Sequence, residues 1–178
     1  MTTYILGNGS HGRMLREMVG GSCLGPEDDL PEDATDVFVG VGDPALRRKI
    51  WENNIGTEFS AFLMADFLDY GTVLGEAVHV MRGCIIMPGV TIGSNTLINT
   101  GAQIDHDCII GDHCHIAPGV IMCGDVHVAD GSFVGAGAIL TQGARIDEGS
   151  FIPAGRLVVG GRRIDSRTSD VKVGEEGC

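Results

Sequence analysis

The chain has 178 residues, enough for one domain or two small ones. Its formal net charge of −12, from 24 acidic against 12 basic residues, argues against nucleic acid or an anionic membrane as a general partner. No apolar run reaches membrane-spanning length, and Met1-Thr2-Thr3-Tyr4-Ile5 opens without a basic, hydrophobic leader, so a cytoplasmic protein is expected.

In chain order, residues 3–6 read as a short strand, Gly7-Asn8-Gly9-Ser10-His11-Gly12 follows, and residues 13–19 read as a helix. This is GxGxxG in a strand-turn-helix context. Its glycines let the backbone approach a phosphate or sugar while the helix N-terminus favours negative charge; a tight turn with a purely structural purpose is the alternative. Residues 20–33 are acidic and rich in Gly and Pro, with no apolar strand among them. A strand over residues 36–42 then leads to a helix with Asp43 as N-cap and Pro44 at its first position, running through Trp51. With no strand between Val19 and Asp36 a full dinucleotide fold does not fit. Residues 1–66 therefore read as a small, truncated Rossmann-like α/β domain.

Beyond it, aliphatic residues recur every six positions without a slip: Leu74, Val80, Ile86, Ile92, Ile98, Ile104, Ile110, Ile116, Met122, Val128, Val134, Leu140, Ile146 and Ile152. Four places after each stands a small or β-branched residue, from Val78 and Cys84 to Ser150, with Arg156 breaking the rule. Neither period 2 nor period 3.6 produces this pattern. A hexad repeat marks a parallel β-helix, each hexad being one short strand plus a turn, with equivalent positions stacked on successive coils. Gly75, Gly93, Gly111, Gly135 and the Pro88-Gly89 and Pro118-Gly119 pairs are expected at corners, where glycine takes backbone angles other residues resist. The β-helix is assigned to residues 67–164 and a polar tail to residues 165–178.

Six cysteines invite a disulfide or metal reading, but Cys84, Cys108 and Cys114 fall on the small interior position, which favours reduced core thiols; Cys23, Cys123 and Cys178 lack CxxC spacing. Between Gly83 and Ala144 there is no Lys or Arg, whereas Arg145, Arg156, Arg162, Arg163, Arg167 and Lys172 crowd the last coil and tail. These could meet the phosphates of a ligand running along the prism, or simply form a solvated cap. Outward apolar residues such as Leu97, Ile109 and Ile121 call for burial between copies. His106 lies between Asp105 and Asp107 at the third hexad position, where a side chain faces outward, and a carboxylate beside an imidazole supports the charge it gains as a general base.

The motif Gly7 to Gly12 ahead of an uninterrupted hexad repeat, with Asn99-Thr100-Gly101-Ala102, Ile104-Asp105-His106-Asp107-Cys108 and His115-Ile116-Ala117-Pro118-Gly119, resembles the NeuD-type sugar acetyltransferases. These include sialic acid O-acetyltransferases and nucleotide-amino-sugar N-acetyltransferases. The resemblance covers nearly the whole chain. It implies a left-handed β-helix, a homotrimer, and acetyl-CoA bound between neighbouring prisms, with no metal. His106 matches the general base and Asp107 the residue that raises its basicity. His115, Ala136 and Ala154 match cofactor contacts, and Gly9, Ser10 and His11 match the loop that touches the nucleotide sugar. One departure is a missing second strand, which in such proteins ends in an acidic pair that holds the nucleotide.

The expected reaction is direct attack of an amine or hydroxyl of a sugar, a nucleotide-linked amino sugar foremost, on the acetyl-CoA thioester, with His106 taking the proton. Two rivals stand beside it. A γ-type carbonic anhydrase uses the same kind of prism, but His79 and His115, two coils apart, are separated by about 9.6 Å on one chain, too far to share a metal. A non-catalytic scaffold or sugar-binding module would explain a shortened N-terminal domain.

Overall fold

Residues 62–164 wind as a triangular prism whose three faces are six-stranded parallel sheets, every strand two residues long. The computed structural model describes residues 2–54, 56–161 and 163–164. Residues 18 apart stack on successive coils, so Leu97 pairs with His79 on one side and His115 on the other. The first face carries Phe62–Leu63, His79–Val80, Leu97–Ile98, His115–Ile116, Phe133–Val134 and Phe151–Ile152. The second runs from Phe67–Leu68 through Gln103–Ile104 to Leu157–Val158, and the third from Val73–Leu74 through Ile109–Ile110 to Arg163–Ile164. This is a left-handed parallel β-helix.

The interior follows from the repeat. Ile86, Ile92, Ile98, Ile104, Ile110 and Ile116 are at most 1% exposed and stack as ladders, and Cys84, Ala102, Cys108 and Cys114 fill the narrow space beside them. Burial pushes the Cys114 thiol up to about 12 and that of Cys108 to about 11, so both stay protonated as core hydrophobes. Gly89 and Gly119 turn corners at positive φ, 76° and 68°. Gly93 and Gly135 do not: a Cβ on Gly93 would meet the Gly111 carbonyl carbon at 2.5 Å, and one on Gly135 would meet the Ala154 amide at 2.5 Å. They are glycine so that adjacent coils can touch, not because of backbone angle. The prism also begins earlier than the repeat, at Phe62–Leu63, ahead of the expected boundary after residue 66. Leu63 to Leu68 is five residues instead of six, and that slip hides the first coil from a period count.

Ahead of the prism lie β1 (Thr2–Leu6), α1 (Ser10–Val19), β2 (Ser22–Leu24), β3 (Ala34–Val39) and α2 (Pro44–Asn53), with the strands parallel in the order β2-β1-β3. The existence of β2 corrects the expectation that this strand is deleted. Only Cys23 and Leu24 mark it by hydropathy. It forms because Gly20 and Gly21, at φ 80° and 87°, reverse the chain, and Gly21 lies against Thr3 so closely that a Cβ would meet its carbonyl oxygen at 2.3 Å. Helix α1 likewise starts at Ser10, inside the glycine motif. Asp43 caps α2 as expected, its carboxylate accepting from the Leu46 amide at 2.8 Å.

The α/β domain packs on the first face. Ile5, Leu15 and Phe38 meet Phe62, Met81 and Leu97, so Leu97, expected to face out, is fully buried. Arg47 of α2 is buried in this seam. Its Nη1 donates to Val39 O (2.9 Å) and Val41 O (2.8 Å), its Nε to Asn95 O (3.1 Å), and its Nη2 to Asn95 Oδ1 (2.9 Å). Asn95 Nδ2 donates back to Arg47 O at 3.1 Å.

His79 is fully buried among Phe38, Phe62 and His11, with neither ring nitrogen in hydrogen-bonding geometry with a partner. Burial holds its pKa well below 6.5. Below about pH 6.5 the unfolded chain takes up a proton that the folded chain refuses, so stability falls as pH drops from there. His79→Leu removes two unsatisfied polar atoms at similar volume. It should leave stability near pH 7.5 unchanged or about 1 kcal/mol higher and shallow the loss between pH 7.5 and 5, as read by urea unfolding at both values. An acid loss as steep as wild type contradicts this.

Candidate active site

His106 and Asp107 form the corner between the second and third faces, with Asp107 at φ 58°. That left-handed backbone turns the Asp107 carboxylate back onto its neighbour, and His106 Nδ1–H donates to Asp107 Oδ2 at 2.9 Å. The His106 amide donates to Asp105 Oδ1 at 2.8 Å. The Asp107 hydrogen bond first, then the charges of Asp105, Asp107 and Asp125, raise the His106 pKa above its ordinary 6.5. With Nδ1 engaged, Nε2 is the basic atom. The ring lies over Gly124, one coil on, where a Cβ would meet Nε2 at 2.6 Å and Cε1 at 2.5 Å. Gly124 is not at positive φ, so the imidazole alone accounts for the glycine.

The glycine motif divides its labour. Gly7 turns at φ 123°, and a Cβ on Gly12 would meet the Gly7 carbonyl oxygen at 1.8 Å, so both are fixed by chain geometry and packing. Gly9 has open space where its Cβ would be and φ −70°; it is free to present backbone to a ligand. Gly9, Ser10 and His11 wall a cavity of about 520 Å³ at the carboxyl ends of β1 and β3, closed by Asn99 and His115 of the prism. His115 Nδ1–H donates to Gly42 O, and Asn99 Nδ2 donates to His115 Nε2 at 3.1 Å. That pair defines a neutral tautomer, and burial pulls the His115 pKa to about 4. His11 is likewise lowered to about 4 by burial, then by the charge of Arg47.

His115 and Gly42 also border a second cavity of about 420 Å³ whose far wall is Phe133 and Phe151, stacked at 5.2 Å between centroids. Ala136 and Ala154 stack on the corner between the first and second faces, exposed and joined by the Gly155 amide donating to Ala136 O at 2.8 Å. The structure thus brings Gly9, Ser10, His11 and His115 together, places Ala136 and Ala154 on the adjoining edge, and sets His106 and Asp107 on another edge. Gly124, Asn99, Gly42 and Arg47 were missed. The signal for Gly124 was present, since it stands 18 residues after His106, one coil exactly under it in register; Arg47 carried no signal in an ordinary amphipathic helix. Of the basic residues proposed for phosphate, Arg145 is turned onto Asp125, with Nη2 3.4 Å from its carboxylate. Arg162, Arg167, Lys172 and the Arg163 side chain lie outside the described residues, as does Cys178.

Among known proteins, the family described as bacterial transferase hexapeptide (six repeats) matches residues 71–106 and 90–124. No curated protein sequence matches the chain. Among solved structures, a mutant of perosamine N-acetyltransferase from Caulobacter crescentus, in complex with CoA and GDP-perosamine, is 26% identical over 98% of both chains with a TM-score of 0.79. The acetyltransferase domain of PglB from Neisseria gonorrhoeae FA1090 is 23% identical over 96% of this chain and 99% of that one, TM-score 0.81, and shares the fold. WeeI from Acinetobacter baumannii AYE is 19% identical with a TM-score of 0.73 and shares it too. The repeat and the three-faced prism define a hexapeptide-repeat protein. Over 98% of its length the chain is similar in fold and in sequence to a sugar acetyltransferase, the perosamine enzyme.

Asp107→Asn removes the first cause of the raised His106 pKa. The imidazole titration followed by NMR should move to lower pH, toward or below 6.5; an unmoved midpoint would show that the hydrogen bond does not set it.

Proposed function

We propose that the chain is an acetyl-CoA-dependent acetyltransferase acting on an amine or hydroxyl of a sugar, a nucleotide-linked amino sugar foremost, with His106 as general base. The observation that carries this is the His106 corner: an exposed imidazole whose Nδ1 is fixed by Asp107 and whose Nε2 is left as the proton acceptor above a glycine. Acetyl-CoA supplies an acyl carbon activated as a thioester. The acceptor's nitrogen or oxygen attacks that carbon, His106 Nε2 takes its proton, Asp107 stabilises the imidazolium, and the proton then serves the departing thiolate. The likeness to a protein solved with CoA and GDP-perosamine supports both ligands.

The acceptor is assigned to the cavity at Gly9, Ser10 and His11, and the cofactor to the edge of Ala136 and Ala154, with His115 where the two meet. His106 stands on a different edge of the same prism, so a complete site needs a second copy. The second face offers the means. Phe67, Ile85, Ile121, Ile139 and Leu157, each 38–55% exposed, form an outward column that is apolar except for Gln103 between Ile85 and Ile121, and that a cyclic trimer would bury while bringing one copy's His106 toward its neighbour's cavity. This column replaces Leu97 in the argument for assembly. A cytoplasmic location goes with the acetyl-CoA requirement; among the described residues no helix is long and apolar enough to cross a membrane.

Three measurements test this reading. Light scattering across a concentration series should give a trimer, and a stable monomer removes the shared site. His106→Ala should lower kcat by about 10²–10⁴-fold with little change in the acetyl-CoA KM, because proton removal matters only in the transition state. Near-normal turnover in a folded trimer would end the general-base assignment. Gly124→Ala, free of backbone strain, must displace the imidazole and should lower kcat by about tenfold or more.

A further inference from the structure

The cavity at Gly9, Ser10 and His11 is unusual for this chain in what it lacks. Acidic residues outnumber basic ones 24 to 12, yet none of the 13 residues lining it is Asp or Glu. Behind its wall lies a buried cation. Arg47 is fully buried, and its guanidinium donates only to neutral oxygens: the Val39 and Val41 carbonyls and the carbonyl and side-chain oxygens of Asn95. Val41 itself lines the cavity, so the charge sits one peptide away from it. Among the described residues Arg47 has no carboxylate partner.

The surrounding groups do not offset this charge. On α2, Asp43 is engaged as the N-cap, Arg48 pairs with Glu52, and Lys49 pairs with Glu27, all at the surface. From α1, His11 faces it; from the prism, His79 and His115 do, all three held neutral. At the nearby corner Asp112 is tied to the Ser94 amide and His113 to Asn95. An ion withdrawn from water without a counter-ion costs several kcal/mol, and among the described residues nothing supplies that counter-ion. The N-terminus of α1, which no side chain caps, adds positive potential from the other wall.

We propose that Arg47 is the residue that makes this cavity select a phosphorylated acceptor: a buried positive charge whose counter-charge is the diphosphate of the incoming ligand, acting through the Val41 peptide and not by contact. This rests on the cavity being the acceptor site. Its neutral lining admits the ligand's polar parts, while the charge behind the wall favours di-anionic ligands over the same molecule without phosphate. At an effective dielectric near 20, a unit charge on the order of one peptide behind the wall gives a preference of about tenfold or more in affinity per phosphate charge.

Calorimetry with GDP, UDP, guanosine, uridine and inorganic pyrophosphate tests this on the wild type, Arg47→Lys and Arg47→Gln. The wild type should bind a diphosphate at least tenfold more tightly than its nucleoside. Arg47→Lys, which keeps the charge and loses the fork, should retain that ratio within about threefold; Arg47→Gln should lose it while nucleoside binding stays unchanged. A merely structural role would weaken Lys and Gln variants alike and nucleosides as much as diphosphates, and that result overturns the proposal. If Arg47→Gln does not fold, the wild type decides. Saturating pyrophosphate should raise the NMR titration midpoints of His11 and His115, since the anion offsets the Arg47 charge that adds to burial in holding them neutral; unmoved midpoints overturn it. Acetyl transfer to unphosphorylated sugars with no diphosphate preference would sink this proposal and leave the transferase standing. Diphosphate binding that depends on Arg47 in a protein without transferase activity would do the reverse.

Discussion

The structure depends on one constraint: strands two residues long, three to a coil, stacked in parallel with an 18-residue offset that holds from Phe67 onward and is 17 only where Phe62–Leu63 meets His79–Val80. A two-residue strand has too few hydrogen bonds to persist alone. Its amide and carbonyl are satisfied only by the coils above and below, so each coil is stable because its neighbours are. The same offset builds the site. It sets Gly124 under the His106 ring, Phe133 against Phe151, and Leu97 between His79 and His115, and it stacks Ala136 against Ala154 on one edge. Chemistry-bearing residues far apart in number meet because they differ by multiples of one coil.

That regularity explains what could be read from the sequence. The ladder from Val80 to Ile152 proved buried, and the third hexad position of His106 proved outward-facing and paired with Asp107, because periodic burial is written directly in residue type. The failures lie where geometry is not periodic. β2 was invisible because a three-residue strand with two apolar side chains is held by backbone bonds to β1 and by two glycines at positive φ. Leu97 was misplaced because a period cannot reveal that another domain covers a face. Gly93 and Gly135 look like corner glycines, but the space they leave is filled by the next coil. Arg47 was silent for a related reason: a helical arginine in sequence is a surface cation until its carbonyl partners, 6, 8 and 48 residues away, are in place.

The Arg47 seam also accounts for how the two parts of the chain act together. A surface ion pair would join them loosely, worth little and screened by salt. Here the guanidinium binds carbonyls of β3 and of its exit loop with one nitrogen and the prism corner at Asn95 with the others, and Asn95 returns a bond to the helix backbone. Asn95 can do so because it sits at φ 54° on a corner, which exposes its carbonyl and amide together. The cavity wall at Gly40 to Gly42 is therefore registered against His115, and the short contact from His115 to Gly42 follows from it.

The equal hexads carry a consequence for how such a chain can change length. An insertion of one residue reverses inward and outward positions and destroys the core. Six residues preserve every inward position, but each later side chain advances by one face: placed between Asn99 and His106, they would carry the imidazole from its present edge to the next, away from any neighbour that relies on it. Eighteen residues restore the edge and shift everything beyond by one coil height, about 4.8 Å. Growth by duplication is thus quantised, with folding tolerant of one unit and function of three, and the interval from Asn99 to His106 is the stretch where the two standards diverge.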